Sequence, residues 1–74
     1  MTMMKQGRIL MIFRTNKIRE RREESKMTQG YYAELLGLSQ VSVSKYENGH
    51  TLPRVDRAIE MARVLGTTVE DLWG

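Results

Sequence analysis

No cysteine occurs in this chain of 74 residues, which excludes disulfides, thiolate metal sites and cysteine catalysis and fits a reducing, cytoplasmic setting. His50 is the only histidine, so catalytic triads and the common zinc sites lack parts. No glycine loop of the phosphate-cradling kind is present. No enzyme activity, cofactor or metal is therefore expected. No apolar run approaches the ~18 residues a membrane span needs, so no membrane partner is expected. The adjacent acids Glu23-Glu24 and Glu70-Asp71 read as solvated groups on helices or near helix ends. Trp73 and the pair Tyr31-Tyr32 read as core or interface residues rather than a stacking platform.

What is present is one small domain with a single core. Cores of this size supply about 3–5 kcal/mol, so dimerisation would help. The net charge of +3 is uneven. Residues 1–26 carry eight of the twelve Lys and Arg against three acids, a net +5, whereas residues 27–74 carry four against six, a net −2. The basic end suits a polyanion partner, and equally an ordinary solvated helix face.

Residues 1–14 differ from the rest. The run Ile9-Leu10-Met11-Ile12-Phe13 between Arg8 and Arg14 has the length of a short strand. Three readings stay open: a strand or arm that pairs across a dimer, an arm packed on its own domain, or a disordered or extraneous leader. Residues 15–74 read as five short helices. The first starts after Thr15 or Asn16 and runs to about Ser25, with Ile18 inward. The second is capped by Thr28 and carries Tyr32, Ala33, Leu35 and Leu36 as one apolar stripe, with Gly37 ending it. The third is capped by Ser39 and ends at Asn48-Gly49, with only Val43 and Tyr46 inward. The fourth follows Pro53, the only proline, and repeats Val55, Ala58, Ile59, Met61, Ala62 and Leu65 at helical spacing up to Gly66. The last opens on Thr68 with Asp71 three residues on, a capping-box pattern, and has Val69, Leu72 and Trp73 as its apolar residues.

The segment Thr28–Gly49 is therefore two short helices joined by a tight, glycine-containing turn, the sequence shape of a DNA-reading helix-turn-helix. The wider order Ile18, Arg22, Met27-Thr28-Gln29, Ala33, Leu36-Gly37-Leu38-Ser39, Val43-Ser44-Lys45-Tyr46-Glu47-Asn48-Gly49, Pro53, Ala62, Leu65-Gly66 and Val69-Glu70-Asp71-Leu72 resembles the lambda-repressor/Cro-like, or xenobiotic-response-element, family over about residues 16–73. The resemblance implies an all-α, five-helix domain with a short N-terminal arm or strand. It also implies that the third helix lies in the major groove, with Gln40, Val41, Ser44 and Lys45 reading bases. Their chemistry suits that role, since Gln pairs with adenine, Lys donates to guanine, and Val packs on a thymine methyl.

Phosphate contacts are implied for Thr28, Gln29, Ser39, Ser42, Asn48, His50, Thr51 and Arg54, which would fix register without reading sequence. The resemblance further implies an ion pair between Arg22 and Glu47 that holds the reading helix at its angle. A partly buried pair is expected; if buried, losing one partner costs roughly 3–5 kcal/mol, and if exposed the pair is worth at most ~1 kcal/mol. Arg21, on an otherwise inward face, stands where the family commonly has an aliphatic residue.

These residues lead to the expectation of a sequence-specific regulator of transcription bound to double-stranded DNA, a repressor or autoregulator acting as a homodimer. Its dimer contacts are expected from Ile9, Leu10, Ile12 and Phe13 or from Val69, Leu72 and Trp73. The alternative is a protein-interaction module, or an antitoxin-type partner, that uses the same helices to bind another protein.

Overall fold

Asn16 starts one helix and closes the end of another. Its Oδ1 accepts from the Ile18 N–H at 3.0 Å, while its Nδ2 donates to the carbonyls of Tyr46 and Glu47 at 3.0 and 3.4 Å. The computed structural model describes residues 16–74 and forms α1 (Ile18–Glu24), α2 (Gln29–Leu36), α3 (Gln40–Glu47), α4 (Val55–Val64) and α5 (Val69–Trp73), with no strand among the described residues. The fold is all-α, as the sequence implies. The arm expected over residues 1–14, with Ile9, Leu10, Ile12 and Phe13, lies outside the described residues, as does Thr15.

Local signals set the boundaries. The Thr28 hydroxyl accepts from the Tyr31 N–H at 3.1 Å, and the Ser39 hydroxyl from the Ser42 N–H at 3.1 Å, each satisfying a donor that a helix start leaves free. Gly37 (φ 69°) and Gly49 (φ 72°) take the left-handed conformation that lets the chain leave α2 and α3 sharply. The first helix ends at Glu24, one residue before the expected Ser25, and the third at Glu47, one before Asn48. Thr68 accepts from the Asp71 N–H at 3.0 Å, but the reciprocal half of the capping box is not made, because the Asp71 carboxylate is engaged elsewhere.

The core joins Ile18 of α1, Tyr32, Ala33 and Leu36 of α2, Val43 of α3, Met61 and Ala62 of α4, Leu65, and Leu72 of α5. Each large side chain taken fully out of water contributes about 1.5–3 kcal/mol. Tyr32 is buried whole, and its hydroxyl donates to the Met61 carbonyl at 2.9 Å, so no polar atom is left unpaired. Burial pushes that hydroxyl's pKa up, so it stays a donor.

The structure corrects several expectations. Leu35, Val55 and Ile59 lie outside the core, Val55 being 76% exposed. The buried face of α4 is Ala58, Met61 and Ala62 with Leu65 beyond it, so Val55 and Ile59 form the neighbouring stripe one turn apart. Leu72, expected at a dimer surface, is 1% exposed and belongs to the core. A helix as short as α5 needs one side chain to seat it, and Leu72 does so, while Val69 and Trp73 pack half-buried beside it. Asp71 is not a freely solvated acid. Arg21 grips it with two nitrogens, Nε to Oδ2 at 2.7 Å and Nη2 to Oδ1 at 3.0 Å, and the Thr67 hydroxyl donates to it at 2.8 Å. These bonds hold the Asp71 carboxyl well below the usual carboxylate range. The arginine on the inward side of α1 is thus a clamp onto α5, reinforced by the Lys17 N–H donating to the Leu72 carbonyl at 2.9 Å.

Candidate nucleic-acid interface

α3 buries only two side chains, Val43 and Glu47, one turn apart. Positions 40, 41, 44, 45 and 48 recur at three- and four-residue spacing and so form one stripe, which starts beside Glu47 at Gln40, seven residues before it, and runs round to Lys45 on the far side. Gln40, Val41 and Lys45 are exposed and Ser44 is half-buried; Val41, a β-branched apolar residue, is 64% exposed among the described residues. All four residues expected to read bases therefore stand on one accessible face.

Glu47 fixes the orientation of that face. Its side chain has no solvent exposure and takes four hydrogen bonds from three residues. Arg22 donates Nε to Oε2 at 2.6 Å and Nη2 to Oε1 at 3.2 Å; Arg19 adds Nε to Oε1 at 3.3 Å, and Gln29 adds Nε2 to Oε1 at 3.1 Å. Arg22 spends its remaining nitrogen on the Met27 carbonyl at 2.8 Å. One carboxylate thereby ties α3 to α1 and to the start of α2. Burial alone would raise the Glu47 pKa, but the hydrogen bonds from Arg22, Gln29 and Arg19 outweigh it and hold it below its ordinary value. The pair is more buried than the sequence suggested, and Arg19 and Gln29 are members that sequence reasoning missed. Their signal in the sequence was weak, since Arg19 sits on a face that reads as solvated.

The residues expected at phosphates fall into two groups. Thr28, Ser39, His50, Thr51 and Arg54 are exposed, and the hydroxyls of Thr28 and Ser39 cap α2 and α3. Gln29, Ser42 and Asn48 are engaged within the fold. The Ser42 hydroxyl meets that of Ser39 at 3.0 Å. Asn48 accepts from Arg19 Nη2 at 3.2 Å and donates to the Ser44 carbonyl at 2.9 Å. Gln29, besides its bond to Glu47, accepts from Gln40 Nε2 at 3.3 Å. Gly30, next in α2, lies beside that bond: a Cβ placed there would come 3.5 Å from Gln40 Oε1, so its absence keeps the flank of that oxygen open.

A second surface feature lies between the start of α4 and α5. Leu52, Pro53, Val55, Ala58, Val69 and Trp73 line an apolar groove of about 210 Å³. Among the described residues, no group of three His, Cys, Asp or Glu could hold a metal ion, and no helix is long and apolar enough to cross a membrane.

Two capped helices at a glycine turn, the second with a polar outward face and a buried carboxylate anchor, define a helix-turn-helix domain. The chain belongs to the helix-turn-helix family, whose model matches residues 18–72. It is similar to the cryptic phage CTXphi transcriptional repressor RstR of Vibrio cholerae serotype O1, at 34% identity over 78% of this chain and 55% of that protein. The chain thus spans about half the length of that relative. Among solved structures it is similar to hydroxypropylphosphonic acid epoxidase from S. wedmorenis, with a TM-score of 0.70 and 29% identity over 89% of this chain and 32% of that one. A structure of Fe(II)-HppE with an alternative substrate matches with a TM-score of 0.70 and 34% identity over 77% of this chain and 30% of that one.

Proposed function

We propose that the protein is a sequence-specific regulator of transcription that binds double-stranded DNA, a repressor or autoregulator that lays α3 in the major groove. The observation that carries this reading is the division of α3 into two faces. Its inward face is anchored by buried Glu47, and its outward face offers Gln40, Val41, Ser44 and Lys45. An amide, a methyl-bearing side chain, a hydroxyl and an ammonium group together cover the hydrogen-bonding and apolar features of base edges. The relative named as a transcriptional repressor supports the same reading. Thr28, Gln29, Ser39, Ser42, Asn48, His50, Thr51 and Arg54 flank α3 and would hold phosphates, with Gln29, Ser42 and Asn48 first giving up bonds inside the fold.

The protein acts as a homodimer on half-sites about one helical turn apart, ~34–36 Å. The apolar groove beside Val69 and Trp73 supports this, since it is an open apolar surface on a domain with a small core. Selection of bound duplexes from a random pool at ~150 mM salt tests the reading. An enriched palindrome supports it. Gln40→Ala should then lose ~1–3 kcal/mol of discrimination at one base pair and leave the other positions unchanged. If no sequence is enriched, the protein is an interaction module or antitoxin-type partner, and the groove is where a protein would dock.

A further inference from the structure

The apolar groove between the start of α4 and α5 has about 210 Å³ of space, walled by Leu52, Pro53, Val55, Ala58, Val69 and Trp73. Apolar walls in contact with water favour any apolar group that can replace the water. The longest apolar run of the sequence is Ile9-Leu10-Met11-Ile12-Phe13, set between Arg8 and Arg14. Its last member, Phe13, comes three positions before Asn16, where the described residues begin.

The point at which the chain joins the fold is fixed by hydrogen bonds. Asn16 Nδ2 donates to the carbonyls of Tyr46 and Glu47, and the Lys17 N–H donates to the Leu72 carbonyl at 2.9 Å. The chain therefore joins the bundle at Leu72, the neighbour of Trp73 in α5. An extended chain advances at most ~3.6 Å per residue. Phe13, four residues before Lys17, reaches up to about 14 Å from that bond, and Ile9, eight before it, up to about 29 Å. One wall of the groove is the step from Val69 to Trp73, about 6 Å of helix ending beside the bond, so the groove lies within that reach. A tether this short holds the run near the groove at an effective concentration on the order of mM, against which a second copy or another protein has to compete from free solution.

We propose that the segment Ile9–Phe13 docks into the groove between α4 and α5 of its own chain, against Val55, Val69 and Trp73. Ile9 to Phe13 and Val69 with Trp73, the two sets expected at a dimer surface, then form one surface. A second copy pairing there meets the groove with the segment in place. The inference goes beyond the DNA-reading function and does not rest on it.

Trp73 is the only tryptophan, so its fluorescence reports on the groove. In dilute wild-type protein it should be shielded from acrylamide. Combining Ile9→Ser, Leu10→Ser, Ile12→Ser and Phe13→Ser should remove the shielding and leave the circular dichroism melt cooperative, since the core among the described residues is complete without these four. Val55→Glu, at an exposed position, should remove it from the groove side, and should add nothing once the four serines are present.

Disulfide trapping decides whose segment fills the groove. The chain has no cysteine, so Phe13→Cys or Ile9→Cys combined with Val55→Cys allows one bond within a chain. One of these two pairs should close about tenfold faster than the same cysteine combined with Val41→Cys, an exposed site on α3. Equal quenching of Trp73 in wild type and the four-serine protein overturns the proposal, as does equal closure at Val55 and Val41. Shielding that grows with protein concentration, with disulfides formed between chains, gives the groove to a second copy and overturns it too.

Discussion

Arg21 and Arg22 are neighbours on α1, and each grips a carboxylate with two nitrogens, yet the two clamps differ in burial. The Arg22 side chain is 10% exposed and its partner Glu47 not at all, whereas the Arg21 and Asp71 side chains are each 25% exposed. Arg22 reaches α3, and Arg21 reaches α5. Water competes for the outer pair at every moment, and salt screens it. The inner pair has no such competitor, so removing one partner strands a charge in the interior. The same chemistry on adjacent residues thus does two jobs: the inner pair fixes the angle of α3, and the outer one trims the edge of the bundle.

Arg22→Ala should break that contrast most severely. A loss of roughly 3–5 kcal/mol is expected, which in a domain of this size lowers Tm by at least about 12 °C. Circular dichroism melts read it directly, and a shift under about 4 °C would put the two clamps in the same class.

Acid should come next. Both Glu47 and Asp71 are held below their ordinary values, so their stabilisation is complete above the unfolded pKa, 4.5 for Glu47, and is lost as pH falls through the folded values. Tm should be level from pH 7 to about 5 and fall below that, with Glu47→Gln showing a shallower acid limb. A wild-type Tm level down to about pH 3 would mean that neither carboxylate contributes.

Asp71→Asn should lower Tm by less than Arg22→Ala does, and by less still in about 1 M salt, where charges at the surface are screened. Equal losses at low and high salt would show that the outer clamp acts by packing alone. The smallest effect is expected from Gly30→Ala. Replacing a helical glycine should add up to about 1 kcal/mol, because the new Cβ meets Gln40 Oε1 at an ordinary 3.5 Å. A loss of stability in urea titration would mean that the start of α2 cannot accept even a methyl group.

Legibility in the sequence followed range. Thr28, Gly37, Ser39 and Gly49 act on the backbone within a few residues of themselves, and the elements they bound are those read from the sequence. The charged contacts were a different matter. Arg22 and Glu47 were paired only through family resemblance, and Arg21 and Asp71, fifty residues apart, carry no local pattern that joins them. Helical periodicity marked Val55, Ile59 and Leu35 as apolar but could not say where a broad stripe leaves the core, and all three lie at its margin. In the candidate interface, α3's outward residues were legible from the thin apolar face of that helix and from the family resemblance, Val41 included although it is apolar. The orientation of Gln40 was not, because it depends on an amide in another helix and on a carboxylate behind it.

The bond from the Lys17 N–H to the Leu72 carbonyl joins the first described turn to the last. Short helices at the edge of a bundle commonly open locally and independently. Here the entry to α1 cannot peel away without releasing α5, nor α5 without exposing the Lys17 amide. In hydrogen exchange the two should open as one unit, with the Lys17 amide reporting the detachment of a helix more than fifty residues further along the chain.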